Sequence, residues 1–162
     1  MKGFIVYSTY ATIENQNYIE LFGRLENGQS FLTITKFNPY FYIREKDLKE
    51  IDSGIETEET ELKNFSGEKV IKLSFENRPM LNETHKKFHK KIQTYEADLQ
   101  PHYRFIIDNN LLNEIDIEGE YESSEKIDRI YREPKISPSE FSSQLRVASI
   151  DIETDKRTEK LF

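Results

Sequence analysis

The stretch Pro39-Tyr40-Phe41-Tyr42-Ile43-Arg44 decides the reading of this chain, because its aromatic and β-branched content makes it a strand that opens a repeated pattern. Glu45 to Ile51 follows as a short polar helix. Glu59 to Phe65 and Lys69 to Glu76 then flank Ser66-Gly67 as a hairpin. Val70, Leu73 and Phe75 give its second strand a mostly buried character. Pro79 opens a helix through Ile92, in which Leu81, His85, Phe88 and Ile92 recur at helical spacing on one face. Thr94 to Leu99 returns to strand character. Residues 39–99 thus run strand, helix, strand, strand, helix, strand, the order of a ferredoxin-like βαββαβ sandwich. That topology serves many functions and assigns none.

Upstream, Gly3 to Tyr10, Tyr18 to Leu25 and Ser30 to Phe37 read as a β meander over residues 1–38. Asn27-Gly28 marks a hairpin, since both residues tolerate the positive φ of a tight primed turn. Downstream, Tyr103 to Leu112 reads as a helix. Glu114 to Tyr121 sets Ile115 and Ile117 against acidic neighbours, as an exposed strand would. Residues 122–143, with Pro134 and Pro138 among Ser, Glu and Lys, read as a linker. The expected class is α+β, with one domain over 1–121, the linker over 122–143, and the start of another domain at 144–162.

The bulk properties of the 162 residues narrow the chemistry. No apolar run approaches the roughly 20 residues that span a bilayer, and the start lacks a signal peptide's long apolar core. A cytoplasmic protein with no membrane partner is expected. With no cysteine and three scattered histidines, any metal is expected to be held by oxygen. A formal charge of −7 argues against a surface that grips nucleic acid everywhere, leaving only local patches.

The clearest chemical signal lies in Leu145 to Thr154, read as an apolar strand. Side chains at i and i+2 share a face, so Asp151 and Glu153 are expected side by side, with Ile150 and Ile152 packed behind them. Such a pair, completed by other carboxylates, suits Mg²⁺ or Mn²⁺. Two such ions about 4 Å apart activate water and stabilise a leaving oxygen in phosphodiester cleavage. An isolated Asp-x-Glu equally suits a solvated strand edge.

Val147-Ala148-Ser149-Ile150-Asp151-Ile152-Glu153-Thr154 resembles the first exonuclease motif of family B DNA polymerases, whose core is Asp-Ile-Glu-Thr. Tyr95-Glu96-Ala97-Asp98, followed by Tyr103-Arg104-Phe105-Ile106, is similar to that family's Tyr-Glu-x-Asp stretch and the helix after it. Gly3-Phe4-Ile5, Pro39-Tyr40-Phe41-Tyr42 and Leu62-Lys63-Asn64-Phe65 extend the similarity towards the amino terminus. The motifs bring to mind the bacterial DNA polymerase II branch and its archaeal relatives.

The resemblance implies an amino-terminal polymerase domain that guides single-stranded template, joined to the first strand of an RNase H-like 3′ to 5′ exonuclease. It makes Asp151 and Glu153 metal-binding carboxylates, and DNA, the primer 3′ end and the remaining polymerase chain the partners. A sliding clamp would engage only through other regions. The family's later motifs and polymerase aspartates have no room before Phe162, so these residues alone are expected to be inactive. A fragment, a split gene's first product and a truncation all suit that length.

Other residues carry weaker signals. Some members of the family read template uracil here, and by position Tyr10, Pro39 and Leu81 lie near the equivalent surface; they equally suit core and turn positions. Lys86, Lys87, Lys90 and Lys91, interleaved with His85 and His89, could touch phosphates or form the solvated side of an amphipathic helix. Tyr40, Phe41 and Tyr42 could stack bases, although a strand of this pattern commits two of the three to core. The alternative function is a non-catalytic nucleic-acid-binding or interaction module on a ferredoxin-like core. A complete small nuclease would need a later acidic strand.

Overall fold

A computed structural model of the chain describes residues 1–88, 91–140, 148–151, 154–155 and 160–161. The amino-terminal meander forms as its alternation predicts: β1 (Lys2–Ile13), β2 (Gln16–Leu25) and β3 (Ser30–Lys36) pair antiparallel in sequence order. The primed turn lies elsewhere than expected. Ile13 pairs with Gln16 across Glu14-Asn15, and both turn residues take positive φ, 49° and 65°. At Asn27-Gly28 only Gly28 does so, at φ 85°, in a wider turn where the Asn27 side-chain oxygen accepts the Gln29 N–H.

A bulge bends β1, the register slipping between Ile5, which faces Gly23, and Tyr7, which faces Phe22. Gly23 allows the close approach, because a Cβ there would lie 2.0 Å from the Phe4 carbonyl oxygen and 2.5 Å from the Phe31 ring.

Four more strands extend the meander: β8 (Glu114–Glu118) pairs with β1, β9 (Tyr121–Glu122) and β10 (Arg129–Arg132) pair with each other, and β11 (Lys135–Pro138) pairs with β8. Because β10 also joins β3 in parallel, the order is β11-β8-β1-β2-β3-β10-β9. In a flat sheet β10 and β11 would stand roughly 24 Å apart at about 4.8 Å per strand. Only Glu133 and Pro134 connect them, a reach of about 11 Å. The sheet therefore curls on itself.

Inside the curl, Ile5, Ile19, Leu21, Phe31, Ile115, Ile117 and Tyr131 form one core, capped by Phe105 of α2 (Pro101–Asp108). This corrects two sequence expectations. Ile115 and Ile117 are sealed at 0% and 2% exposure, so β8 is half-buried rather than exposed. Residues 129–138, read as part of a linker, supply two strands, and Tyr131 enters the core. Their pairing partners Phe31 to Ile34 lie far away in sequence, where local pattern gives no hint of them.

The second sheet has the order β5 (Glu56–Lys63), β6 (Lys69–Ser74), β4 (Tyr40–Arg44), β7 (Thr94–Tyr95), with every neighbour antiparallel. Phe41 and Ile43 of β4 join Ile71 and Leu73 of β6 against Leu81 and Phe88 of α1 (Arg78–Phe88), forming a second core. Asn77 caps α1 by accepting the Met80 N–H (3.0 Å), and its Nδ2 donates to the Asn15 carbonyl (2.8 Å). One residue thereby starts the helix and ties it to the first hairpin. The polar helix expected after β4 is a 3-10 turn, Glu45–Glu50, and the strand expected over Thr94 to Leu99 pairs only at Thr94–Tyr95.

Past residue 140 the expected strand Leu145 to Thr154 falls partly outside the described residues. Of its described residues, 148–151 have no ladder partner and Ile150 is 82% exposed, while Thr154 pairs with Leu161. Ile152, expected to pack with Ile150 behind Asp151, lies outside the described residues. Thr154–Asp155 and Lys160–Leu161, β12 and β13, pair only with each other.

Candidate nucleic-acid interface

The two faces of β4 receive alternate side chains. Phe41 and Ile43 enter the core under α1, while Tyr40 and Tyr42 stand on the opposite face with Lys72 and Tyr95 as cross-strand neighbours of Tyr42. The Tyr40 and Tyr42 rings meet nearly edge to face, 5.5 Å between centroids. Helix α2 closes the Tyr40 end of this face. Its Arg104 guanidinium lies 4.7 Å from the Tyr40 centroid and 6.0 Å from that of Tyr42, and Lys72 Nζ lies 4.6 Å from the Tyr40 ring.

Charge and hydrogen bonding lock this closure. The Tyr40 hydroxyl donates to the Asp108 carboxylate at 2.8 Å; burial and then that bond push the phenol far above its usual range, so it stays protonated. Arg104 forms ion pairs with Glu96 and, at 3.9 Å, with Asp108. Burial pulls on the guanidinium's charge, but the Glu96 bond and the neighbouring acids more than offset it, and its pKa rises. Glu96 sits at φ 61°, a left-handed position uncommon for its type. Arg78, its pKa lowered by burial, holds the far end of the same stretch by donating to the Leu99 carbonyl at 3.0 Å.

What α2 leaves uncovered is a groove of about 490 Å³, floored by Tyr42, Thr94 and Tyr95 and rimmed by Leu62 and Phe65. Asn64 shapes it: Nδ2 donates to the Tyr95 hydroxyl at 2.8 Å, and Oδ1 accepts the Ser66 and Glu68 N–H groups. Phe65 is wholly exposed at the hairpin tip, and Leu62 is 53% exposed. Aromatic rings in a groove of this size can stack a planar group or hold an apolar side chain.

The sequence-predicted residues are dispersed. Lys86 and Lys91 are exposed on the α1 side, Lys87 pairs with Glu83 at 2.9 Å, and Lys90 lies outside the described residues. Asp47, Glu50 and Asp52 line the same depression as Lys87 and Lys91, which offsets the positive field there. His85 is half-buried, 6.2 Å from the Phe41 ring. Tyr10 packs on the large core and stacks on His102 at 6.0 Å, Pro39 is buried ahead of β4, and Leu81 is sealed in the second core. These three residues line no common groove among those described.

Asp151 is exposed and Glu153 lies outside the described residues. Among the described residues no group of three or more His, Cys, Asp or Glu side chains is placed to hold a metal. Of the expected pair only Asp151 is among the described residues, and no metal-dependent step is built on it. The Arg104 network and the Asn64–Tyr95 contact were not foreseen. Their sequence traces were the Tyr95-Glu96-Ala97-Asp98, Tyr103-Arg104-Phe105-Ile106 and Leu62-Lys63-Asn64-Phe65 stretches, none of which says what Glu96, Arg104 or Asn64 touches.

No described helix is long and apolar enough to cross a membrane. No family model matches the chain, and no curated protein matches its sequence. In structure it is similar to the family B DNA polymerase of the hyperthermophilic archaeon Pyrobaculum calidifontis, with a TM-score of 0.69 and 16% identity. The superposition covers 88% of this chain and 21% of that polymerase, so the chain spans about a fifth of its relative's length. At that identity the likeness is one of fold: a β-rich body with few helices, similar to a segment of a family B DNA polymerase.

Proposed function

We propose that the chain is the amino-terminal part of a family B DNA-directed DNA polymerase with a 3′ to 5′ proofreading exonuclease, lying beside the template strand. The observation that carries this reading is the fold likeness over 88% of the chain. The Asp-Ile-Glu-Thr string at 151–154 and the Tyr-Glu-Ala-Asp string at 95–98 support it from sequence.

In this reading the second sheet is a ferredoxin-like element. Its fourth strand lies beside its first, its first beside its third and its third beside its second. A 3-10 turn stands where the first helix of that unit belongs. Asp151 and Glu153 would be two of the carboxylates that hold Mg²⁺ or Mn²⁺ for proofreading in a complete enzyme, with further ligands from an RNase H-like sheet. DNA, the primer 3′ end and the rest of the polymerase are the partners, and the cytoplasm is the location.

The test uses a full-length polymerase carrying this segment. Replacing Asp151 and Glu153 together by Ala should abolish Mg²⁺-dependent removal of a mismatched 3′ nucleotide while primer extension continues. Undiminished removal would sink the assignment of both residues. The 162-residue chain alone should show neither activity and should bind single-stranded DNA weakly at low salt.

A non-catalytic interaction module is the second reading, favoured by the open groove between Tyr42, Tyr95 and Phe65. It predicts that a complete protein containing these residues extends no primer.

A further inference from the structure

The charge of −7 is unevenly spread. Residues 53–76 hold six carboxylates against three lysines, a net of −3, while Asp47, Glu50 and Asp52 lie on the α1 side. The described residues among 78–91, on the α1 side, hold four Lys or Arg against one Glu, a net of +3. The negative excess of the second sheet therefore lies along β5 and β6, and the groove opens beside it, with Lys63 among its lining residues.

Strand β5 is the sheet's outer edge on that side, and Glu56, Glu58, Glu59 and Glu61 along it are all exposed. Lys72 and Lys69 engage Glu58 and Glu59 at 2.9 and 3.6 Å. Glu56 and Glu61 form no ion pair among the described residues. At the end of this acidic edge lie Leu62 and Phe65, over the tyrosine floor. Isolated exposed apolar residues are ordinary, but here two of them rim a groove whose floor is also aromatic.

We infer that the groove docks a protein segment of defined chemistry: one aromatic or large aliphatic side chain flanked by Lys or Arg. The apolar side chain enters between Tyr42 and Tyr95 under the rim of Leu62 and Phe65, and the flanking cations meet Glu61 beside Leu62 and, towards the far end of β5, Glu56. Charge decides the occupant. A nucleic acid strand would bring phosphates against this row of carboxylates. A second copy would bring the same carboxylates, and the register irregularity between Glu59 and Lys63 further blunts edge-to-edge pairing. The inference rests on the groove and its charge, not on the polymerase reading.

The probe is a synthetic peptide of Lys and Arg around a central Phe-Leu pair, titrated into the ¹⁵N-labelled chain at about 0.15 M salt. Amide shifts should saturate at 62–65 and 94–96, and a matched Glu-flanked peptide should leave them unmoved. The double change Leu62→Ser, Phe65→Ser, at exposed positions that the fold does not need, should weaken binding by roughly tenfold. Glu56→Gln with Glu61→Gln should weaken it severalfold and flatten its salt dependence.

Equal binding by the Ser variant, or shifts spread over the whole acidic surface, would reduce the effect to unspecific attraction and overturn the proposal. An oligothymidylate that shifts the groove amides where the peptide does not would overturn it in favour of nucleic acid. Should the Ser variant lose its native melting transition, bulky maleimide coupling to Phe65→Cys provides a second block, and undiminished peptide binding by that adduct would equally refute it.

Discussion

The two faces of the four-stranded sheet are built from alternate residues of the same strands, yet they are sealed by opposite means. Under α1, Phe41, Ile43, Ile71 and Leu73 meet Leu81 and Phe88 in a dry interior. On the other face, Tyr40 is covered by a guanidinium and a carboxylate from α2, and Tyr42 is left partly open to the groove. Dry packing is tolerant of direction and contributes with area buried. A polar cover depends on geometry, since each charge must find its partner. The first face therefore supplies stability. The second sets how α2 and the curled sheet sit against the small sheet, and leaves part of its surface free.

The largest expected effect breaks the dry face. Phe41→Ala removes a ring with 0% exposure that contacts Phe75 and Phe88, and should cost about 4 kcal/mol in a urea titration. A loss under about 1 kcal/mol would show that the face is not the main core of this sheet.

Next comes the polar face. Arg104→Ala leaves Asp108 and the Tyr40 hydroxyl without their cation; since Glu96 is half-exposed and partly screened by water, the cost should be about 2 kcal/mol. Spectral changes should centre on the tyrosines rather than on α1. Equal destabilisation by Arg104→Met would point to loss of charge, and rescue by Met to loss of packing alone.

A smaller effect distinguishes pH ranges. Burial holds the His102 imidazole below its ordinary 6.5. The unfolded chain then takes up a proton before the folded one does, so His102 contributes no penalty well above pH 6.5 and lowers stability progressively below it. Melting temperature should fall between pH 7 and pH 5, and His102→Phe, which keeps a ring against Tyr10, should shrink that fall. An unchanged pH response in the variant would move the cause to another group.

The smallest effect concerns the basic side. Lys86→Ala with Lys91→Ala should weaken binding of single-stranded DNA at low salt by at most about twofold, because Asp47, Glu50 and Asp52 already offset that patch. A tenfold loss in a filter-binding or anisotropy titration would make α1 the main contact surface.

Much of the secondary structure was legible because its cause is local. Alternation in Tyr40 to Arg44 marks two faces, the spacing of Leu81, His85 and Phe88 marks one side of a helix, and Ser66-Gly67 marks a hairpin, although the described helix is Arg78–Phe88 and Ile92 lies beyond it. Even so, alternation could not say which rings of Tyr40, Phe41 and Tyr42 would be sealed. Tyr40 and Phe41 are, on opposite faces and by different partners. The strands at 129–138 were illegible for a related reason. They are short and interrupted by Glu133 and Pro134, and their pairing comes from β3 and β8.

By itself, then, the sequence determined the meander and the strand order of residues 39–99, and it carries the family resemblance, all of which follow from neighbours along the chain. Tertiary structure alone decided the curl of the large sheet, the burial of Tyr131, the placement of Arg104 over the tyrosines and the groove beside Phe65. Each of these depends on which distant segments meet. Periodicity specifies that a face will be covered, but the covering group is chosen by the path of the whole chain.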